Sequence, residues 1–148
     1  MAAIAASPLT RLIAIGFIAG AVGILIFHQG GFALLALIEG RPVNAWQTRP
    51  IPPFGVPSIL NAMFWGGLWG IVMVWAMQRW RGKLPGWLIA ALVAAIASTL
   101  VAWFVVAPIK GLPVAAGFNP ASMWRAPLVY FVWGAGAGLI AEWLQKRM

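Results

Sequence analysis

Residues 11–39, RLIAIGFIAGAVGILIFHQGGFALLALIE, form an apolar run that is long enough to decide the class of the protein. Between the flanking Arg11 and Glu39, the strongly polar side chains are those of His28 and Gln29. A hydrocarbon core of about 30 Å needs roughly 20 apolar residues in a helix. The run therefore predicts a transmembrane helix over residues 12–38, with length to spare for tilt.

Three further apolar segments, at residues 58–77, 86–107 and 126–144, repeat this pattern. The whole chain is 63% hydrophobic and 8% charged, whereas soluble proteins average about 45–50% apolar and about 25% charged residues. In a chain of 148 residues, four spans leave only short connections. We therefore predict an all-α, polytopic membrane protein, with a single transmembrane domain over residues 1–148 that folds as a four-transmembrane-helix bundle.

Two pairs of motifs recur at an offset near 70 residues. Gly-Arg-Pro at 40–42 is followed by Gly-Leu-Pro at 111–113, and WGGLWG at 65–70 is followed by WGAGAG at 133–138. The recurrence is typical of two repeated helical hairpins, but it also arises where Trp and Gly are simply common in a small bundle. Each hairpin would start and finish on the same side of the membrane, unlike the inverted repeats of many transporters.

The Lys and Arg residues predict how the bundle is oriented. Six lie at or near helix ends on the side of the termini: Arg11, Arg79, Arg81, Lys83, Lys146 and Arg147. Four are spread over the long loops on the other side: Arg41, Arg49, Lys110 and Arg125. Because cytoplasmic segments carry the excess of basic residues, we expect both termini in the cytoplasm. The net charge of +8 sits at helix ends, which favours anionic lipid headgroups over nucleic acid as the partner. The expected headgroup ligands are Arg79, Arg81, Lys83, Lys146 and Arg147.

Small residues spaced four apart predict the faces where helices meet, because lipid gives helices little hydrophobic reason to associate. The candidate packing glycines are Gly16, Gly20, Gly23, Gly66, Gly70, Gly134 and Gly138. These faces serve either the packing of the bundle itself or a partner subunit, which would be another membrane protein or a second copy of this chain.

His28 is the residue most able to carry chemistry, since ionisable groups inside a span are costly and often functional. Three roles are open for it: a hydrogen bond between helices, to Ser98 or Thr99; an axial ligand to the metal of a haem or chlorin; and a proton or substrate contact. In the last role, a narrow polar path would include His28, Gln29, Asn61, Ser98 and Thr99.

The intramembrane tryptophans offer flat surfaces for packing, for lipid, or for a flat ligand such as a quinone, porphyrin or carotenoid. These residues are Trp65, Trp69, Trp75, Trp103 and Trp133. Other tryptophans, including Trp46 and Trp124, are expected in the interfacial belt.

Catalysis is not expected from this sequence. The chain lacks Cys and Asp, and its two carboxylates, Glu39 and Glu142, are predicted at opposite membrane surfaces. We expect Glu39 to pair with Arg41, and Glu142 with Lys146 one helical turn later. These residues provide neither an acid/base pair nor a metal site, so we predict no catalytic residue and no metal ligand set.

The run Ile26-Phe27-His28-Gln29-Gly30, together with Pro57 and the motif FWGGLWG at 64–70, resembles a group of small bacterial inner-membrane proteins of similar length. The resemblance implies a location and no established activity. We therefore expect a non-enzymatic accessory or scaffold subunit. Two alternatives stay open: a small transporter or channel with His28 in its path, and a binder of a pigment, quinone or haem.

Overall fold

Four long helices form a bundle in the computed structural model, which describes residues 7–147. All four are long and apolar enough to cross a membrane: α1 over Pro8–Ile38, α2 over Ser58–Arg79, α3 over Gly86–Ile109 and α4 over Pro120–Arg147. The prediction of an all-α four-helix membrane bundle is confirmed.

Two helices begin earlier than hydropathy predicted, because local capping groups start them. The Ser7 hydroxyl accepts the Thr10 N–H at 3.2 Å, ahead of α1. The Asn119 side chain accepts the Ala121 N–H at 3.0 Å, ahead of α4. In both cases proline occupies the first helical position, where its missing N–H costs nothing.

Both α1 and α3 contain π-helical turns. In α1, Ile24–His28 separates the α-helical segments Pro8–Gly23 and Gln29–Ile38. In α3, π turns at Ala94–Ser98 and Ala102–Val106 alternate with the α-helical segments Gly86–Val93, Thr99–Val101 and Ala107–Ile109. Near the start of α4, a turn at Trp124 separates Pro120–Met123 from Arg125–Arg147.

Each hairpin closes along a seam of small residues. A Cβ added at Gly16 would lie 2.6 Å from the Ile71 Cα, and one at Gly20 would lie 2.8 Å from the Gly70 Cα. In the second hairpin, a Cβ at Gly134 would lie 2.8 Å from the Ala91 Cα, and one at Gly138 would lie 2.6 Å from the Trp87 Cα. The helix backbones of each hairpin are therefore in direct contact, as expected for small-residue seams in membranes.

The two hairpins meet mainly between α1 and α4. Trp133 is 2% exposed, and its indole N–H donates to the Gly20 carbonyl at 3.2 Å. A Cβ added at Gly23 would contact the Trp133 ring, and a Cβ added at Gly136 would collide with the Phe27 ring. The core is otherwise aliphatic, with Ile15, Ala19, Met73, Val74, Ile89, Ala90 and Ala94 buried.

The hairpins also share features at the offset of the sequence motifs. The π turn at Ile24–His28 has a counterpart 70 residues later at Ala94–Ser98. The first helix of each hairpin, α1 or α3, ends in the same kind of glycine cap: Gly40 has φ +63° and Gly111 has φ +67°. The N–H after each glycine bonds a carbonyl five residues back, at 2.8 Å for Arg41 and 2.9 Å for Leu112, which is the Schellman geometry. These parallels favour duplication over chance recurrence.

The connections between the paired helices differ. The first contains a short antiparallel ribbon of two strands, β1 at Pro50–Ile51 and β2 at Val56–Pro57, which the sequence did not predict. The second contains a 3-10 segment at Val114–Phe118 before the Asn119 cap. The two hairpins thus differ in these loops, as well as in the second π turn of α3 at Ala102–Val106.

Candidate functional site

His28 ends the π turn of α1 and lies in a cluster of aromatic rings. Its ring centroid is 5.0 Å from that of Phe32, 5.4 Å from Tyr130 and 6.0 Å from Trp133. The imidazole and the Tyr130 ring are stacked, with 23° between their planes. π turns are often found at functional sites, so this cluster is the first candidate.

The expected hydrogen bond from His28 to Ser98 or Thr99 is not formed. Both hydroxyl oxygens are buried without a hydrogen-bond partner among the described residues. The His28 ring instead packs against the aromatic side chains of α4. Its polar neighbour is Gln29, whose Nε2 is 3.5 Å from the His28 Nδ1.

The π turn also changes which backbone groups are paired. In a regular α-helix the Gln29 N–H would donate to the Leu25 carbonyl. Here it bonds the Ile24 and Ile26 carbonyls. The Leu25 carbonyl accepts the indole N–H of Trp46 at 2.8 Å. The π turn thereby provides an acceptor for a side chain from the loop.

Trp46 is fixed at this position by a second bond, from its backbone N–H to the Gln29 Oε1 at 2.8 Å. Its φ of +51° is uncommon for a residue other than glycine. Gln29 lies ten residues before the Glu39 cap, or about 15 Å along the helix axis. The loop between α1 and α2 therefore folds back along α1, and Trp46 is more than a belt residue.

The same loop caps the start of α2. The Gln47 carbonyl accepts the Ser58 hydroxyl at 2.6 Å and the Ile59 N–H at 2.9 Å, and the Arg49 carbonyl accepts the Ser58 N–H at 3.0 Å. A cleft of about 150 Å³ remains beside these bonds. We call it the outer cleft; its lining residues are Gln29, Asn44, Gln47, Ser58 and Ile59.

At the opposite end of the bundle, Glu142 has a different partner from the one expected. Its Oε1 accepts the Trp87 N–H at 3.0 Å, and no ion pair with Lys146 occurs among the described residues. The first N–H groups of α3 have no acceptor within their own helix, so a carboxylate from α4 satisfies one of them. A cleft of about 160 Å³ adjoins this contact and is lined by Met77, Gln78, Arg81, Gly82, Leu84, Gly86, Glu142 and Gln145.

Glu39 joins the two hairpins beyond the membrane-spanning part of α1. It pairs with Arg41 as expected, through Oε2, and its Oε1 also accepts the Arg125 Nε–H at 2.7 Å. The hydrogen bond from Arg125, reinforced by Arg41, lowers the pKa of Glu39 below its ordinary 4.5. Arg125 is 86 residues away in sequence, and no local pattern signalled this pairing.

The glycines singled out in the sequence lie at contacts within the chain. Gly16, Gly20, Gly66, Gly70, Gly134 and Gly138 all have neighbouring atoms within 3.1 Å of an added Cβ, and Gly23 is against Trp133 at 3.0 Å. Gly30, by contrast, would meet nothing within 4 Å. The seams inside the bundle thus occupy the small-residue faces that had been considered for a partner.

The other predicted polar residues are not assembled into one site. Asn61 is partly buried on α2, whereas Ser98 and Thr99 are buried on α3. Within residues 7–147, no group of three His, Cys, Asp or Glu side chains is arranged to hold a metal ion. Since His28 is the one histidine of the chain, a haem with two histidine ligands would need its second ligand from another chain.

The basic residues Arg79, Arg81, Lys83, Lys146 and Arg147 lie at one end of the bundle, at the ends of α2 and α4 and in the turn before α3. Arg147 stacks over the Trp143 ring at 4.7 Å. The described residues therefore offer neutral hydrogen bonding around Gln29, the ion pairs of Glu39, and basic side chains at this end. A comparison with models of protein families, with curated proteins and with solved structures found no match.

Proposed function

We propose that the chain is a non-enzymatic accessory or scaffold subunit of a membrane complex, in a bacterial inner membrane and with both termini in the cytoplasm. The observation that carries this proposal is the side chain of Trp65, which is 56% exposed. Trp65 lies seven residues into α2, or about 10 Å along its axis. That is deeper than the headgroup level at which belt tryptophans are found.

The indole N–H of Trp65 needs an acceptor from outside the bundle. The described indole N–H bonds are made by Trp46, Trp124 and Trp133, and none of the described residues accepts from Trp65. An unpaired N–H in hydrocarbon costs several kcal/mol. A carbonyl or hydroxyl on a neighbouring membrane protein would remove that cost.

Trp65 belongs to a continuous apolar surface, which we call the aromatic face and define as Phe17, Phe64, Trp65 and Leu68. The rings of Phe17 and Phe64 are 6.2 Å apart and those of Phe64 and Trp65 are 5.7 Å apart, both edge to face. Phe64 is 50% exposed. Tryptophan and other large aromatic residues are enriched at the centres of protein interfaces, which favours a protein over lipid at this face.

Transport is less well supported than scaffolding. The centre of the bundle is filled by aliphatic side chains and by backbone contacts at Gly20 and Gly70. A path through His28, Gln29, Asn61, Ser98 and Thr99 would have to pass these contacts. Opening it would require the helices of a closed seam to separate.

Ligand binding is the second candidate, favoured by the ring cluster at His28. A pigment or haem held there gives a visible band that the chain alone lacks, and a quinone is identified by extraction with organic solvent. His28→Gln would remove a metal ligand and its chromophore while still donating and accepting hydrogen bonds. Loss of such a band at unchanged protein level would establish ligand binding; its absence from the purified wild type would exclude a coloured ligand.

The scaffold proposal is tested by Trp65→Leu with Trp143→Leu as the control. Trp143 is 52% exposed but lies at the basic end, where an indole is stable at the interface. Native mass spectrometry of gently extracted membranes measures the fraction of each variant bound to other chains. Truncating a hot-spot residue costs about 2 kcal/mol or more, or roughly 30-fold in affinity. We expect this loss of affinity for Trp65→Leu and not for Trp143→Leu. An equal bound fraction for the two variants would count against the proposal.

A further inference from the structure

The outer cleft combines free hydrogen-bonding groups with an absence of charge in its lining. Three of the side chains that line it end in amides, those of Gln29, Asn44 and Gln47, and the remaining two are Ser58 and Ile59. The volume of about 150 Å³ is well above the roughly 10–15 Å³ that one water molecule requires. The cleft lies at the start of α2, where the chain enters the membrane.

The cleft is already formed, because backbone groups of the loop hold its walls. Trp46 is tied to α1 through both its backbone and its indole N–H groups. The Gln47 carbonyl holds the Ser58 hydroxyl and the start of α2. These bonds leave the amide side chains of Asn44 and Gln47 without a described protein partner. The backbone around the cleft therefore needs little ordering when a ligand enters, and the ordering cost is confined to these side chains.

We infer that the outer cleft binds a neutral polyhydroxylated group, either a free sugar or the headgroup of a glycolipid. An amide offers two donors and a carbonyl acceptor. The two amides without a described protein partner, those of Asn44 and Gln47, therefore match a ligand whose hydroxyls both donate and accept, while the Gln29 amide is already engaged by Trp46 and His28. A phosphate or carboxylate would find no cation among the lining side chains, and an ammonium group would find no carboxylate. Gln29 connects the site to His28, since its Nε2 is the group that approaches Nδ1 of the imidazole.

This inference is independent of the scaffold proposal, because the cleft and the aromatic face use different residues. The test uses the full chain in phosphatidylcholine nanodiscs. Three probes are compared: 5 mol% monoglucosyl diacylglycerol, 5 mol% phosphatidylglycerol, and free methyl glucoside in solution. Hydrogen exchange of the peptide covering residues 43–49 reports occupancy at the site itself.

We expect glucosyl lipid or methyl glucoside to slow exchange in this peptide at least fivefold, with no effect of phosphatidylglycerol. Protection by the glucosyl lipid alone identifies a glycolipid headgroup, and protection by both identifies a free sugar as sufficient. Phosphatidylglycerol protecting equally, or no probe protecting wild type, would overturn the inference.

Variants separate binding from fold. Gln47→Leu removes an amide side chain but keeps the carbonyl that caps α2, and Thr48→Val changes an exposed neighbour that does not line the cleft. We expect Gln47→Leu to lose the protection and Thr48→Val to keep it. Protection that persists in a folded Gln47→Leu chain would contradict the inference, and the wild-type comparison of probes stands even if that variant fails to fold.

Discussion

Gly20→Ala adds a single methyl group where α1 and α2 touch. The new Cβ would lie 2.8 Å from the Gly70 Cα and 2.9 Å from the Gly66 carbonyl carbon, whereas ordinary contacts begin at 3.4 Å. Both neighbours are backbone atoms, so no side-chain rotation relieves the overlap. Moving the 2.8 Å contact to 3.4 Å requires the helices to separate by about 0.6 Å, and clearing the Gly66 carbonyl oxygen, which lies closest to the new Cβ, requires more. The Trp133 bond to the Gly20 carbonyl weakens as the helices move apart.

Gly30→Ala is the matched control on the same helix. Its Cβ would meet nothing within 4 Å, and both substitutions gain the same helix propensity of about 1 kcal/mol. The difference between the variants therefore isolates packing. Overpacking costs roughly 1–3 kcal/mol. We expect Gly20→Ala to be less stable than Gly30→Ala by that amount, or about 5- to 150-fold in the unfolding equilibrium.

The assay is reversible unfolding of the purified chain in mixed micelles, with increasing denaturing detergent and far-ultraviolet circular dichroism as the readout. Both variants are measured beside wild type, and the free energies are compared at one detergent composition. Equal free energies of unfolding for the Gly20→Ala and Gly30→Ala variants would refute the assignment of a backbone-contact seam between α1 and α2.

Three further predictions concern the loops and the orientation. Because the pKa of Glu39 is lowered below 4.5, its pairs with Arg41 and Arg125 stabilise the fold above pH 4.5, and this contribution is lost as pH falls towards the lowered value. Melting temperatures measured between pH 3 and 7 should fall at the acid end in wild type, and this acid-dependent decrease should be absent from Glu39→Gln. Trp46→Phe keeps an aromatic ring but removes the indole N–H that donates to the Leu25 carbonyl, at a cost of about 0.5–1.5 kcal/mol; faster hydrogen exchange across residues 43–49 is expected, and unchanged exchange would mean that this bond does not hold the loop. A reporter that is active only in the periplasm should be silent when fused to the C-terminus, and a strong signal would reverse the orientation.

The sequence predicted the fold well because each span carries its own signal. Hydropathy over about 20 residues reports burial in lipid without reference to the rest of the chain. Small-residue spacing likewise identified the glycines at the seams, since Gly20 and Gly70 must be small wherever backbones meet. The earlier starts of α1 and α4 came from capping by Ser7 and Asn119, which hydropathy does not register.

Contacts between distant segments were harder to predict. The π turn at Ile24–His28 has no proline or other local marker, so the carbonyl that receives Trp46 could not be foreseen. Glu142 was expected to pair with the nearby Lys146, but it instead accepts a hydrogen bond from one of the N–H groups at the start of α3, which have no acceptor in their own helix. A hydrogen bond to the α3 hydroxyls was one of three roles open for His28, because polar groups pair in membranes, whereas its ring packs against Tyr130 and Trp133 of α4.

The central claim, that this bundle is a subunit which docks through its aromatic face, is tested most directly by photo-crosslinking in intact membranes. A photoreactive amino acid is placed at Trp65, and separately at Leu100, which is 48% exposed on α3. Adducts are identified by mass spectrometry. We predict one discrete protein adduct from position 65 and lipid adducts alone from position 100; lipid adducts alone from both positions would contradict the claim.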